Sequence, residues 1–198
     1  MLKFRKGCTV PYPENIYEAY EMDSNSIIAN IDADKIENLI LDFITMHPEP
    51  LFFILEIPSK QSAERQIKPG VVESLHKDVY YMDGCTQQEA VAIVDRVGKL
   101  LVNDGLSSFG FGCHTSQDEI MIGKYNVLTI YAQTPESYHT LLEKYDLKQV
   151  DKLVTAWDTF TQNDPGESEC IETDGKTVYD IPELFAGWGI YLAEQRED

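Results

Sequence analysis

The stretch "PLFFILEIP", Pro50 to Pro58, is an almost unbroken apolar run held between two prolines. An amphipathic helix would bring polar residues round every three or four positions, and a half-buried strand would alternate. A short continuous run of Leu, Phe and Ile between breakers predicts instead a strand covered on both faces. Leu51 to Ile57 is therefore expected in the interior of a sheet, and the rest of the chain has to supply its cover.

Just upstream, "DADKIENLILDFITMH" sets Ile36, Leu39, Ile40, Phe43 and Ile44 at helical spacing behind a capping Asp, with His47-Pro48 as the stop. This predicts a helix over 33–46 with one buried face. Downstream, "SKQSAERQIKPG" breaks both periodicities and reads as a surface loop ending on Pro69-Gly70, and "HKDVYYMDG" reads as a further strand. In "TQQEAVAIVDRVGKLLVNDG", Thr86 and Glu89 have the spacing of a capping box. Ala90, Ile93, Val94, Val97 and Leu101 line one side, and Gly105 is expected as a left-handed stop, so a helix spans 87–104.

"EIMIGKYNVLTIYA" predicts a hairpin around Gly123-Lys124 with Tyr125 to Tyr131 as its second strand. Helical spacing returns over 135–145, behind Thr134 and Pro135, and again in "VDKLVTAWDTF". A hairpin is expected at Asp174-Gly175, and a last helix from Pro182 onward despite Gly187 and Gly189. This order of elements predicts one α+β domain over 1–198, a mixed, mainly antiparallel sheet packed with several amphipathic helices.

With 198 residues, 43% of them hydrophobic, the chain is long enough for one ordinary core. "MLKFRKGCTVPYPEN" lacks the apolar stretch of a signal peptide and no run approaches the length of a membrane span, so a soluble, cytoplasmic protein is expected. Cys8, Cys85, Cys113 and Cys170 form no C-x-x-C pair, which predicts reduced, mostly buried thiols.

The net charge is −18, from 34 acidic and 16 basic residues. Nucleic acid and anionic membrane are thereby disfavoured as partners. The imbalance is steepest over 161–198, where ten acids stand against two bases. Asp164, Glu167, Glu169, Glu172 and Asp174 are the candidate partner-binding residues, with a merely solvated face as the alternative.

The one stretch that brings nucleophile and base together in sequence is "SSFGFGCHTSQDEI", Ser107 to Ile120. Read as a strand, it puts Phe109, Phe111 and Cys113 on one face and Gly110, Gly112 and His114 on the other, so thiol and imidazole point apart. Cys113 is expected to be structural. "GFGCHT" lacks the third glycine and the following helix of a dinucleotide fingerprint, and the glycines mark a bulge or a close approach of backbone. Asp118 and Glu119 are expected at a strand start facing water. His76 and Asp78 would share a strand face but lack a third ligand at a recognisable spacing. No cofactor and no metal are expected.

"DGCTQQEA" and "LLVNDGLSSFGFGCHTSQDEIMIGKYNV", within 76–131, resemble uncharacterised bacterial proteins of the immunity-like kind. The resemblance implies an acidic interaction protein that neutralises a basic toxin by direct binding. A small metabolic enzyme with a site near Cys113 and His114 is the other class the sequence leaves open.

Overall fold

Leu51 to Ile57 lies where its composition placed it. In the computed structural model, which describes residues 2–59, 65–68, 71–73 and 76–197, it forms the strand Leu51–Pro58 in the interior of a sheet. The strands are, in chain order, β1 (Cys8–Thr9), β2 (Ala19–Met22), β3 (Ser26–Asn30), β4 (Leu51–Pro58), β5 (Arg65–Lys68), β6 (Val71–Glu73) and β7 (His76–Cys85), followed by β8 (Ser108–Cys113), β9 (Asp118–Ile122), β10 (Val127–Tyr131), β11 (Lys148–Gln149), β12 (Glu167–Ser168) and β13 (Tyr191–Glu197). Nine of them make one sheet in the order β11-β2-β3-β10-β9-β8-β4-β7-β13. Neighbours pair antiparallel except β11, which runs parallel to β2. The architecture is a single α+β domain with a mixed, mostly antiparallel sheet.

Helices α1 (Ile36–Met46), α2 (Gln87–Asn103), α3 (His139–Lys144) and α4 (Ile181–Leu184) bury their apolar side chains in one cluster with one face of that sheet. Phe53 and Leu55 of β4, Phe109 and Phe111 of β8, Ile120 of β9 and Ile130 of β10 meet Leu39 and Phe43 of α1 and Ile93 and Val97 of α2 there. The expected capping box at Thr86 and Glu89 is present, and Asp32 accepts from the Asp34 amide in a 3-10 turn that leads into α1. Alternation puts the remaining residues of the same strands on the opposite face of the sheet.

Four sequence readings are corrected by long-range contacts. Residues 150–160 are not a helix: the Val150 amide donates to the Tyr20 carbonyl, the Leu153 amide to Glu21, and the Val154 carbonyl accepts from Asn30, so the backbone is satisfied by β2 and β3. Only Ala156–Thr159 turns as a 3-10 helix, and Val154 and Trp157 are exposed rather than buried. The tail from Pro182 stops being helical after Leu184, passes a 3-10 turn and Gly189 at φ 90°, and becomes the edge strand β13 on β7. An edge with free ladder groups outcompetes a helix weakened by two glycines.

The presumed loop after Pro58 holds β5, which pairs with β6; Pro69-Gly70 and residues 60–64 lie outside the described residues. Gly105 does not supply a left-handed stop, because Asp104 caps α2 in an extended conformation. A Cβ on Gly105 would instead collide with the Gly7 carbonyl. The Gly7 carbonyl accepts from the Glu169 amide, and the Glu169 carbonyl accepts from Gly105, so the segments around Gly7 and Glu169 are laced to the end of α2.

Candidate functional site

Away from the helices the sheet presents a row of unlike side chains. Phe52, Ile54 and Glu56 of β4 stand opposite Gly112, Gly110 and Ser108 of β8; beyond these, Glu119 and Met121 of β9 stand opposite Tyr131 and Thr129 of β10, and Thr129 opposite Ile28 of β3. The two glycines give up their side-chain space to neighbours on this face. A side chain on Gly112 would occupy the place of the Phe52 ring, and one on Gly110 would meet the Ile120 carbonyl and the Met121 sulfur. The close approach of backbone and ring expected at these glycines is thus found.

Over this floor lies an open groove of about 640 Å³ whose lining includes Glu56, Tyr81, Glu119, Lys124, Tyr131 and Trp157. Glu56 is paired, accepting from Arg196 of β13 at 3.2 Å and facing the Lys77 ammonium at 3.4 Å. Arg196 also pairs with Glu194. Glu119 has no ion pair and no side-chain hydrogen bond among the described residues. Burial raises its pKa, the Glu56 carboxylate adds to the rise, and the charge of Arg196 opposes it. Tyr81 is raised by burial and then by Glu119, which places the phenol and carboxylate in one field.

At the other end of the groove Lys124 sits in the β9–β10 turn, likewise without an ion pair among the described residues. Beside it the Trp157 ring meets Tyr125 edge-on at 4.8 Å, and Phe160 closes the cluster. Much of the apolar surface here is open: Ile28 is 41% exposed, Tyr131 49% and Trp157 53%. Among the described residues the groove therefore has one unpaired anion, one unpaired cation and aromatic walls between them.

The five candidate acids are all exposed, but they do not form one surface. Asp164 accepts from the Tyr12 hydroxyl at 3.3 Å, and Glu167 lies in β12 opposite Thr9, close enough to act on Tyr125 in the aromatic cluster. Glu169 is fixed by its backbone to Gly7 and Gly105. Asp174 lies on the far side, in a cleft with Arg96 and Lys99 of α2, and Glu172 is two residues before it. Asp174 and Gly175 have φ of 52° and 74°, and a single Thr173–Lys176 bridge is all that forms of the expected hairpin.

Cys113 and His114 diverge as strand alternation requires. The thiol is fully buried and donates to the Pro48 carbonyl at 3.3 Å, whereas His114 lies against Phe52 and bonds Asp83 at 3.0 Å. Asp118 does not face water. Its Oδ2 accepts from the Tyr138 hydroxyl at 2.9 Å and stands 3.1 Å from His47 Nε2, while His47 Nδ1 donates to the Phe43 carbonyl at 2.7 Å. Burial, with the adjacent Asp118 charge, raises the Tyr138 pKa. This triad ties α1, β9 and the start of the α3 region together beneath the sheet.

Asp78 accepts from Gln195, and among the described residues no three His, Cys, Asp or Glu side chains are placed to hold a metal ion. No helix among them is long and apolar enough to cross a membrane.

Compared with known proteins, the chain matches no family model, no curated protein and no solved structure. The site defines a class by its geometry alone: a one-sided α+β sheet with an open, aromatic-walled groove. Sequence reading missed Glu119, Lys124, Trp157 and Arg196 as groove residues. Alternation along β9 carried a signal for Glu119, which shares its face with Met121; Trp157 was hidden in a segment taken for a helix, and Arg196 follows directly on another.

Proposed function

We propose that this is an interaction protein that docks a basic protein partner on the open face of its sheet, as an immunity protein does with a toxin. The observation that carries the reading is the open face itself, where Ile28, Tyr131 and Trp157 stand half exposed around a groove containing a carboxylate without an ion pair among the described residues. Exposed aromatic and aliphatic side chains grouped on one face are the composition of an interface centre. The net charge of −18 attracts a cationic partner from a distance, and Asp164 and Glu167 extend that field beside the aromatic end of the groove.

The reading is tested by co-expression with the product of the gene immediately upstream. The wild-type chain should suppress that product's toxicity and co-purify with it, and Tyr131→Asp or Ile28→Asp should abolish both while leaving the circular dichroism spectrum intact. Full suppression by both variants would overturn docking on this face. Replacing Asp164, Glu167, Glu169, Glu172 and Asp174 together by Asn or Gln should slow association at low salt; an unchanged rate would remove those acids from the docking field.

A further inference from the structure

The groove itself is not acidic. Its lining carries Glu56 and Glu119 against Lys77, Lys124 and Arg196, so the excess negative charge of the molecule lies elsewhere. Its two charges without an ion pair among the described residues lie at opposite ends. Glu119 is at the Tyr131 end and Lys124 follows Gly123 at the Trp157 end. Gly123 lies four residues past Glu119, about 14 Å along an extended strand.

Resting on the docking reading above, we infer that the groove holds one extended segment of the partner carrying a basic side chain at the Glu119 end and, about four residues away, an acidic one at the Lys124 end. A flat strand of that length repeats the spacing of β9 beneath it, so the two charges fall in register with the two receiving groups. Tyr131 and Trp157 bracket the aliphatic stems and backbone between them. Each receiving charge exchanges incomplete solvation for a partner, which favours the arrangement with opposite ends over any uniformly basic segment.

Capped five-residue peptides test this on the intact chain by NMR, titrated to millimolar concentration. The probes are Arg-Val-Thr-Val-Glu, the same peptide with both ends Arg, and the same with both ends Gln. The mixed-charge peptide should shift the amides of Glu119, Met121, Lys124, Thr129 and Tyr131 and the Trp157 indole. It should bind about threefold more tightly for each matched charge than the Gln peptide. Glu119→Lys or Lys124→Glu alone should erase that advantage, and the double exchange should restore it, because the peptide can lie in the reverse direction.

Tighter binding by the doubly basic peptide would overturn the inference and leave the docking reading standing on its acidic field. Equal binding of all three peptides at these residues would do the same. Absence of any shift on this face would overturn it as well, and the co-expression variants then decide separately whether the face docks a partner.

Discussion

The two faces of the sheet are written by the same strands, one residue out of step. Toward the helices β4, β8 and β9 present Phe53, Phe111 and Ile120, all without solvent exposure. Toward the groove the adjacent residues on those strands are Phe52, Gly112 and Glu119, an aromatic ring over a bare backbone beside a carboxylate. The first face is uniform because helices must exclude water from it, and dense packing tolerates little but apolar volume. The second is heterogeneous because α1 to α4 pack on the other face. Strand alternation thus lets a short sequence serve stability on one side and recognition on the other.

The sharpest way to break that comparison is to cut a ring from each side. Phe111→Ala removes a fully buried ring from the middle of the helix face and should cost about 4 kcal/mol in urea unfolding. Tyr131→Ala should stay within about 0.5 kcal/mol of the wild type while losing partner binding. Comparable losses from the two would mean that the groove face is as structural as the core.

A smaller loss is expected at the buried triad. Asp118→Ala removes the carboxylate that accepts from the Tyr138 hydroxyl and lies 3.1 Å from His47 Nε2, and should lower stability by about 2 kcal/mol. In that background the Tyr138 hydroxyl keeps His47 Nε2, 2.9 Å away, as its one partner, so Tyr138→Phe should cost less than it does in the wild type. Full additivity of the two changes in a double-mutant cycle would show that the contacts are not coupled.

Below that comes Cys113→Ala, at about 1 to 2 kcal/mol through lost packing. A thiol reagent should reach the exposed Cys170 before the buried Cys113, and Cys85, whose pKa is pushed up by burial to about 11, should resist as well. Rapid labelling of Cys113 in the folded protein would place a reactive thiol where the core is drawn.

The smallest effect has the opposite sign. Burial holds the Glu119 pKa above its unfolded value, so the folded state binds the proton more tightly. The resulting penalty is absent at pH below the unfolded pKa and present in full above the folded one. Glu119→Gln should therefore raise the melting temperature near pH 7, leave it unchanged near pH 3, and weaken partner binding at neutral pH. A destabilised variant at neutral pH would show that the carboxylate is a structural group and not one held in readiness for a ligand.

What the sequence determined by itself was local. The unbroken run of Leu51 to Ile57 marked an interior strand, the Thr86–Glu89 spacing marked a helix start, and the alternation of Ser107 to His114 separated Cys113 from His114. Each follows from the period of one element and the chemistry of its ends. What only the tertiary structure decided was pairing across distance. Residues 150–160 had helical spacing but gave their backbone to β2 and β3, and the tail found the edge of β7, more than a hundred residues earlier in the chain. The same holds for the site: a glutamate on a strand reveals which face it shares, but whether a cation pairs with it depends on strands that meet only when the sheet closes. Glu56 found Lys77 and Arg196, and Glu119 found none within ion-pair distance among the described residues, because hydrogen-bonded neighbours in a sheet are chosen by topology and not by sequence separation.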